Sequence, residues 1–222
     1  MKPIGYMKEK SMRVVKSAQE RKNEILDVAE QLFEEKGFDN ASTNDIINRI
    51  GIARGTLYHH FASKEEILDA IVERMTREGI SKASLIVKER SVPICERLTA
   101  AIMALNIKGG AASEVFDQIH RPQNALLHQK MQERLLEGVV PIIEGLIREG
   151  NETGLFDSEY PKEAAEMIMI YSSVAFDELT NLSNEDILKK GQAFAYHAEK
   201  LLGAKENTLK DAIMNIITSQ SR

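Results

Sequence analysis

Between Gln19 and Lys36 the apolar residues Ile25, Val28, Ala29, Leu32 and Phe33 recur at the i, i+3, i+4, i+7, i+8 spacing of one helical face. This predicts a first helix. Gly37 follows where a left-handed residue closes a last turn, and Lys36 stands where the helix dipole favours a cation. A second stripe, Ile46, Ile47 and Ile50, predicts a short helix capped by Thr43 and stopped by Gly51. Beyond Ile52, Leu57 and Phe61 stand four apart on one face of a third short helix. Ser63 and Glu66 then form a capping box for a fourth, which turns Ile67, Leu68, Ile71 and Met75 inward.

Downstream the grammar stays helical. Pro93 suits a first turn, and Ile94, Leu98, Ala101, Ile102 and Leu105 form a stripe that Gly109 and Gly110 break. A short helix is expected from Ser113 to about His120. Pro122 opens a long one that ends at Gly150 to Gly154, with a kink at Pro141, whose ring clashes with the carbonyl one turn back. Two more helices are expected from Pro161 and Asn184, and a last piece from about Thr208. No alternation of strand period and no long repeat competes, so the expected class is all-α. The expected division is a flexible basic arm over 1–18, a three-helix helix-turn-helix head over 19–63, and a larger helical body over 64–222, linked by the helix 64–79.

Composition sharpens this picture. Hydrophobic residues make up 43% and charged residues 28%, which excludes disorder along the whole length. The longest apolar run, Ala100 to Leu105, is far too short to cross a bilayer, so no membrane partner is expected. A single cysteine, Cys95, makes no internal disulfide or thiolate zinc site, which fits the cytosol. Charge is uneven: residues 1–64 carry 11 Lys/Arg against 9 Asp/Glu, while residues 65–222 carry 18 against 25. The two parts face different partners.

The third helix carries the chemistry. With Leu57 and Phe61 on the buried side, Gly55, Thr56 and His59 face outward, Arg54 and Tyr58 lie on one flank and His60 on the other. A solvated helix needing only solubility would favour Glu, Lys or Ala over Gly, His and Tyr. In a major groove the glycine permits close approach, Arg54 can donate two bonds to guanine, and the Thr56 methyl can meet a thymine methyl. Lys64, in the first turn of the fourth helix, opposes the dipole unless a phosphate compensates it, and Thr43 at its own helix start has the same option.

The stretch from Ile25 to Met75 resembles the DNA-binding domain of the TetR family of transcriptional regulators. Its most specific elements are Ile50-Gly51-Ile52, Gly55-Thr56-Leu57-Tyr58, Phe61 and Ser63-Lys64-Glu65-Glu66. The resemblance implies a homodimer that binds a palindromic double-stranded operator, usually represses, and is released by a small ligand in the body. It also implies that Thr43, Tyr58 and Lys64 hold phosphates, that Arg54, Gly55, Thr56 and His59 lie over bases, and that His60 sits at the margin.

For the body, Met103, Phe116, His120, Met131, Met167 and Tyr171 are the candidate lining of a pocket for a small apolar or amphipathic effector, although the same residue types also fill cores. His120 and His128 stand eight apart across Pro122 and share no helical face, so no metal site and no cofactor is expected. Ser172, Ala175, Leu179, Phe194, Ala198 and Leu201 are the candidate dimer interface, because small residues let a second helix approach. No nucleophile elbow, phosphate loop or HExxH motif occurs, so an enzyme is not expected. Two readings stay open: a regulator switched by a small molecule, or a DNA-binding protein of the same fold that acts through a protein partner.

Overall fold

The computed structural model describes residues 16–105, 112–176 and 183–220, and among these residues all regular structure is helical. The head consists of α1 (Ala18–Lys36), α2 (Thr43–Ile50), α3 (Arg54–His60) and the first turns of α4 (Lys64–Ile86). Each start is set locally. The Ser17 hydroxyl accepts from the Glu20 N–H while the Glu20 carboxylate accepts from the Ser17 N–H, closing a capping box. The cap of α2 is Ser42 and not Thr43, because Asp45 lies three residues beyond Ser42 and completes the same reciprocal pair. At the other end Gly51 takes φ 74°, ψ 35°, the left-handed conformation that glycine adopts without strain. Gly37 also has positive φ, but with ψ 150° it turns the chain into an extended path instead of the left-handed closure expected.

Ile25, Leu32, Phe33, Ile46, Leu57, Phe61, Ile67, Leu68 and Ile71 are at most 2% exposed and form one core. Each such side chain contributes roughly 1.5–3 kcal/mol. Ile47, Ile50 and Met75 are half-buried at its edge. This core does not stop at α4: Val115, Ile119 and Met131 from the body close it.

The body holds α5 (Ile94–Ala104), α6 (Ala112–Ile119), a 3-10 turn (Pro122–Asn124), α7 (Ala125–Glu152), α8 (Pro161–Ala175), α9 (Asn184–Leu201) and α10 (Lys210–Gln220). Pro93 stands at the N-cap of α5, and Pro122 opens the 3-10 turn, so α7 begins three residues later than expected. α7 stays helical across Pro141, which lies on its exposed side. Helix α4 runs from the head into the body and packs closely on α7: a Cβ built at Gly138 would lie 2.5 Å from the Ile80 Cδ1. Arg97, only 2% exposed, ties the body together. Its guanidinium donates to both oxygens of Glu149 on α7, to the Val87 carbonyl at 2.7 Å and to the Val92 carbonyl at 2.8 Å. Glu199 acts similarly at the start of α10, its carboxylate accepting from the N–H groups of Asn207, Leu209 and Lys210.

Candidate nucleic-acid interface and interior cavity

Helix α3 is anchored by Leu57, with no exposed surface, and by Phe61 just beyond its end. Its opposite side is bare. A Cβ built at Gly55 meets no atom within 4 Å, Arg54, Tyr58 and His59 are exposed, and Thr56 and His60 are half-buried. The Arg54 guanidinium lies over the Tyr58 ring, 5.4 Å from its centroid, and the Tyr58 hydroxyl is 3.3 Å from the Thr43 Oγ1. The first turn of α2 and the flank of α3 thus meet in one polar surface. The hydrogen bond with Thr43, and after it that with Arg54, draws the Tyr58 phenol below its ordinary value. Desolvation, followed by the charges of His59, Lys22 and Arg21, lowers the His60 imidazole below its ordinary value.

Lys64, expected at a phosphate, makes contacts within the head. Its ammonium turns into the α1–α2 connection, donating to the Phe38 carbonyl at 2.6 Å and the Ala41 carbonyl at 3.0 Å, and it lies 4.2 Å from the centroid of the Phe38 ring. The dipole conflict foreseen for this lysine is met by backbone oxygens 23 and 26 residues away. From the other side the body grips the same connection. The Glu114 carboxylate of α6 accepts from the Phe38 N–H at 2.9 Å, and Arg121 pairs with Asp39 at 2.6 Å. The segment between the first two head helices is therefore braced from α4 and from the α6 end at once.

Behind α6 the body holds a partly open cavity of about 300 Å³. Leu135, Leu136, Val139, Ile143 and Ile147 of α7 form one wall, with α5, α8, α9 and α10 supplying others. The lining is apolar except for Ser172 and Ser173 on α8, and His120, His128 and Gln132 about the start of α7. The 3-10 turn folds the chain back so that the His120 and His128 rings lie 4.8 Å apart, and the His128 Nε2 is 3.3 Å from the Gln132 Nε2. Shared helical phase is not needed for two side chains to meet across a turn.

The two faces of α8 divide sharply. Ala164, Ala165, Ile168, Met169, Ser172 and Phe176 turn inward, while Met167, Ile170, Tyr171 and Val174 form an outward stripe, each at least 47% exposed. Tyr196 on α9 is also exposed.

Two family descriptions match this chain. The pattern of bacterial regulatory proteins, tetR family, covers residues 25–71, and that of the tetracyclin repressor-like C-terminal domain covers residues 108–197. The chain belongs to the TetR family. The matching family description is that of bacterial regulatory proteins. Among its relatives, the HTH-type transcriptional repressor KstR2 of Mycobacterium tuberculosis is 36% identical over 92 residues, 41% of this chain and 46% of that protein. The fatty acid metabolism regulator protein of Bacillus subtilis is 26% identical over 135 residues, 59% of this chain and 68% of that one. The match to KstR2 thus spans less than half of that relative's length. Among solved structures, a TetR-family regulator from Mesorhizobium loti superposes with a TM-score of 0.60 at 14% identity, covering 92% of this chain and 96% of that one. One from Syntrophomonas wolfei gives 0.54 at 22% identity, covering 86% and 100%. Both show the shared fold.

Within this TetR-family body several expected roles change place. Of the expected cavity residues, His120 and Met131 line the hollow, Met103 is exposed away from it, and Met167 and Tyr171 lie on the outer stripe of α8. The Phe116 side chain and all of Leu179 lie outside the described residues, as does the arm over residues 1–15. Of the expected dimer residues, Ser172, Phe194 and Ala198 line the cavity, Ala175 is buried, and Leu201 packs at the edge of the inner core. The reason is that α8 is apolar on both faces, and periodicity alone assigns neither to the interior. Sequence reasoning missed the α7 wall and the pairing of His120 with His128. An α7 stripe running Leu135, Leu136, Val139, Ile143 was the available signal.

Proposed function

We propose that the chain is a dimeric, cytoplasmic repressor that binds a palindromic operator and is released when a small molecule enters the body cavity. The observation that carries this reading is the bare face of α3 around Gly55, joined through Glu114 and Arg121 to a helix that ends at the cavity. Arg54, Gly55, Thr56 and His59 approach bases, Thr43 and Tyr58 approach phosphates, and His60 stands at the margin. Lys64 acts by bracing the α1–α2 connection that sets the pose of both helices. The outward stripe Met167, Ile170, Tyr171 and Val174 supplies the apolar seam at which a second copy docks by a two-fold axis. Such an axis sets two recognition helices roughly 34–36 Å apart, one turn of DNA. The repressive sense is supported by the relative named a transcriptional repressor.

Selection of genomic fragments bound by the full chain, followed by footprinting, tests this. The expected result is a palindrome with half-sites one turn or a small multiple apart, and an Arg54→Ala chain that loses about ten- to a hundredfold of its preference for that site. Protection of a single half-site, or no enriched sequence, would overturn it.

A further inference from the structure

Resting on the reading above that α3 enters a duplex, we infer that Lys22 of α1 binds the phosphate strand on the side of α3 away from Thr43 and Tyr58, so that each half-site is gripped along both walls of its groove. A helix with its side chains is roughly 10–12 Å across and a major groove roughly 12 Å wide, so a helix seated there has a phosphate strand along each flank. One flank of α3 is served by Tyr58 and, beside its hydroxyl, by Thr43 of α2. His60, two residues further on at about 100° per residue, falls on the other flank. Lys22 stands there. Its ammonium lies 5.6 Å from the centroid of the Phe61 ring, and its charge, with that of Arg21, adds to the desolvation and the His59 charge that lower the His60 imidazole. Phe61 is only 2% exposed while Lys22 is exposed, so a fixed ring sets the place of a cation that remains open to solvent.

Among the described head residues, 16–75, no other lysine is so placed. Lys16 and Arg21 share the Glu24 carboxylate, Lys36 pairs with Asp45, Arg49 with Glu35, and Arg74 with Asp27 and Glu30, while Lys64 donates to backbone carbonyls. Lys22 and Arg54 are the two that meet no carboxylate among these residues, and each lies over an aromatic ring of the α3 segment, Phe61 for Lys22 and Tyr58 for Arg54. The acids in the neighbouring turns of α1 are engaged elsewhere, Glu24 by its two cations and Glu20 by the Ser17 N–H at 2.7 Å. A cation with no protein counter-charge gives up its small counterions to a phosphate. Arg54 does so over the bases, and Lys22 on the strand that Thr43 and Tyr58 leave untouched.

Anisotropy titrations of the full chain against its selected operator and against a scrambled duplex, over a series of KCl concentrations, test this. Lys22→Met keeps an apolar chain over Phe61 and removes the charge. The slope of log affinity against log salt should fall by roughly 1.8, about 0.9 for each of two copies, or about thirtyfold in affinity near 0.15 M when the lines meet near 1 M. The loss should be equal on both duplexes, because a phosphate carries no sequence. Lys22→Arg should keep the native slope, and Arg148→Gln, which removes a body cation paired with Glu144, should leave it unchanged. An unchanged slope in a Lys22→Met chain of normal melting temperature, a loss confined to the operator, or an equal loss in Arg148→Gln overturns the inference and leaves α3 in the duplex. Should Lys22→Met unfold, phosphate-ethylation interference with the native chain decides: interference along both walls of each groove upholds the inference, and along one wall overturns it. A native chain that binds neither duplex overturns the reading of α3 and this inference with it.

Discussion

In the head, Ile25, Phe33, Ile46, Leu57 and Ile67 have no exposed surface and belong to one core, whereas the body arranges comparable aliphatic side chains around a cavity of about 300 Å³. The difference follows from what each region reads. A duplex is recognised by a fixed surface, so the helices that present Arg54, Gly55 and Thr43 gain from a packed core and a braced connection. A small molecule is recognised by enclosure, and it shifts an equilibrium only as far as it prefers one state over another. A hollow lined with Leu, Ile and Val supplies that preference, at the cost of packing contacts that the empty wall lacks.

The largest expected effect concerns the tie that keeps the hollow body rigid. Arg97→Ala leaves the Glu149 carboxylate and two carbonyls without their donor, and should cost about 3–5 kcal/mol in urea unfolding. A loss below about 1 kcal/mol would mean that the body does not depend on this pair. The next effect sets the two cores side by side. Leu57→Ala in the filled core should cost about 2–5 kcal/mol, while Leu136→Ala, at the cavity wall of the body, should cost about 1 kcal/mol. Equal losses would erase the contrast.

A smaller effect appears on acidification. The hydrogen bond from Arg97 holds the Glu149 carboxyl below its ordinary value of 4.5. Its contribution is therefore whole above that value and fades as the pH falls through the lowered one. Stability measured against pH should be flatter below pH 4.5 in the Glu149→Gln chain than in the native one, after allowance for its lower plateau. Parallel curves would show that other carboxylates govern the acid limb.

The head was legible because its signals are local. Helices α1, α2 and α4 each begin at a hydroxyl followed three residues later by an acid, and all four head helices carry their stripe within a few turns, so even the misplaced cap of α2 moved by one residue, from Thr43 to Ser42. What escaped depends on partners distant in the chain. Nothing near Lys64 announces that its ammonium ends on the carbonyls of Phe38 and Ala41. Nor does helical phase foretell that a 3-10 turn brings His120 against His128. The exchange of inner and outer faces on α8 has a different origin, since Met167 and Ile170 are as apolar as Ile168 and Met169 and only the neighbouring helices decide which are covered.

The central claim is that the face around Gly55 enters a duplex, and a Gly55→Leu chain tests it most directly. A Cβ there meets no atom within 4 Å, and replacing glycine within a helix is worth up to about 1 kcal/mol in its favour. Folding should therefore be unharmed, with a melting temperature equal to or above that of the native chain. Anisotropy titration against the selected operator at physiological salt should nevertheless show affinity falling at least a hundredfold. Undiminished operator affinity in a normally folded Gly55→Leu chain would contradict the account.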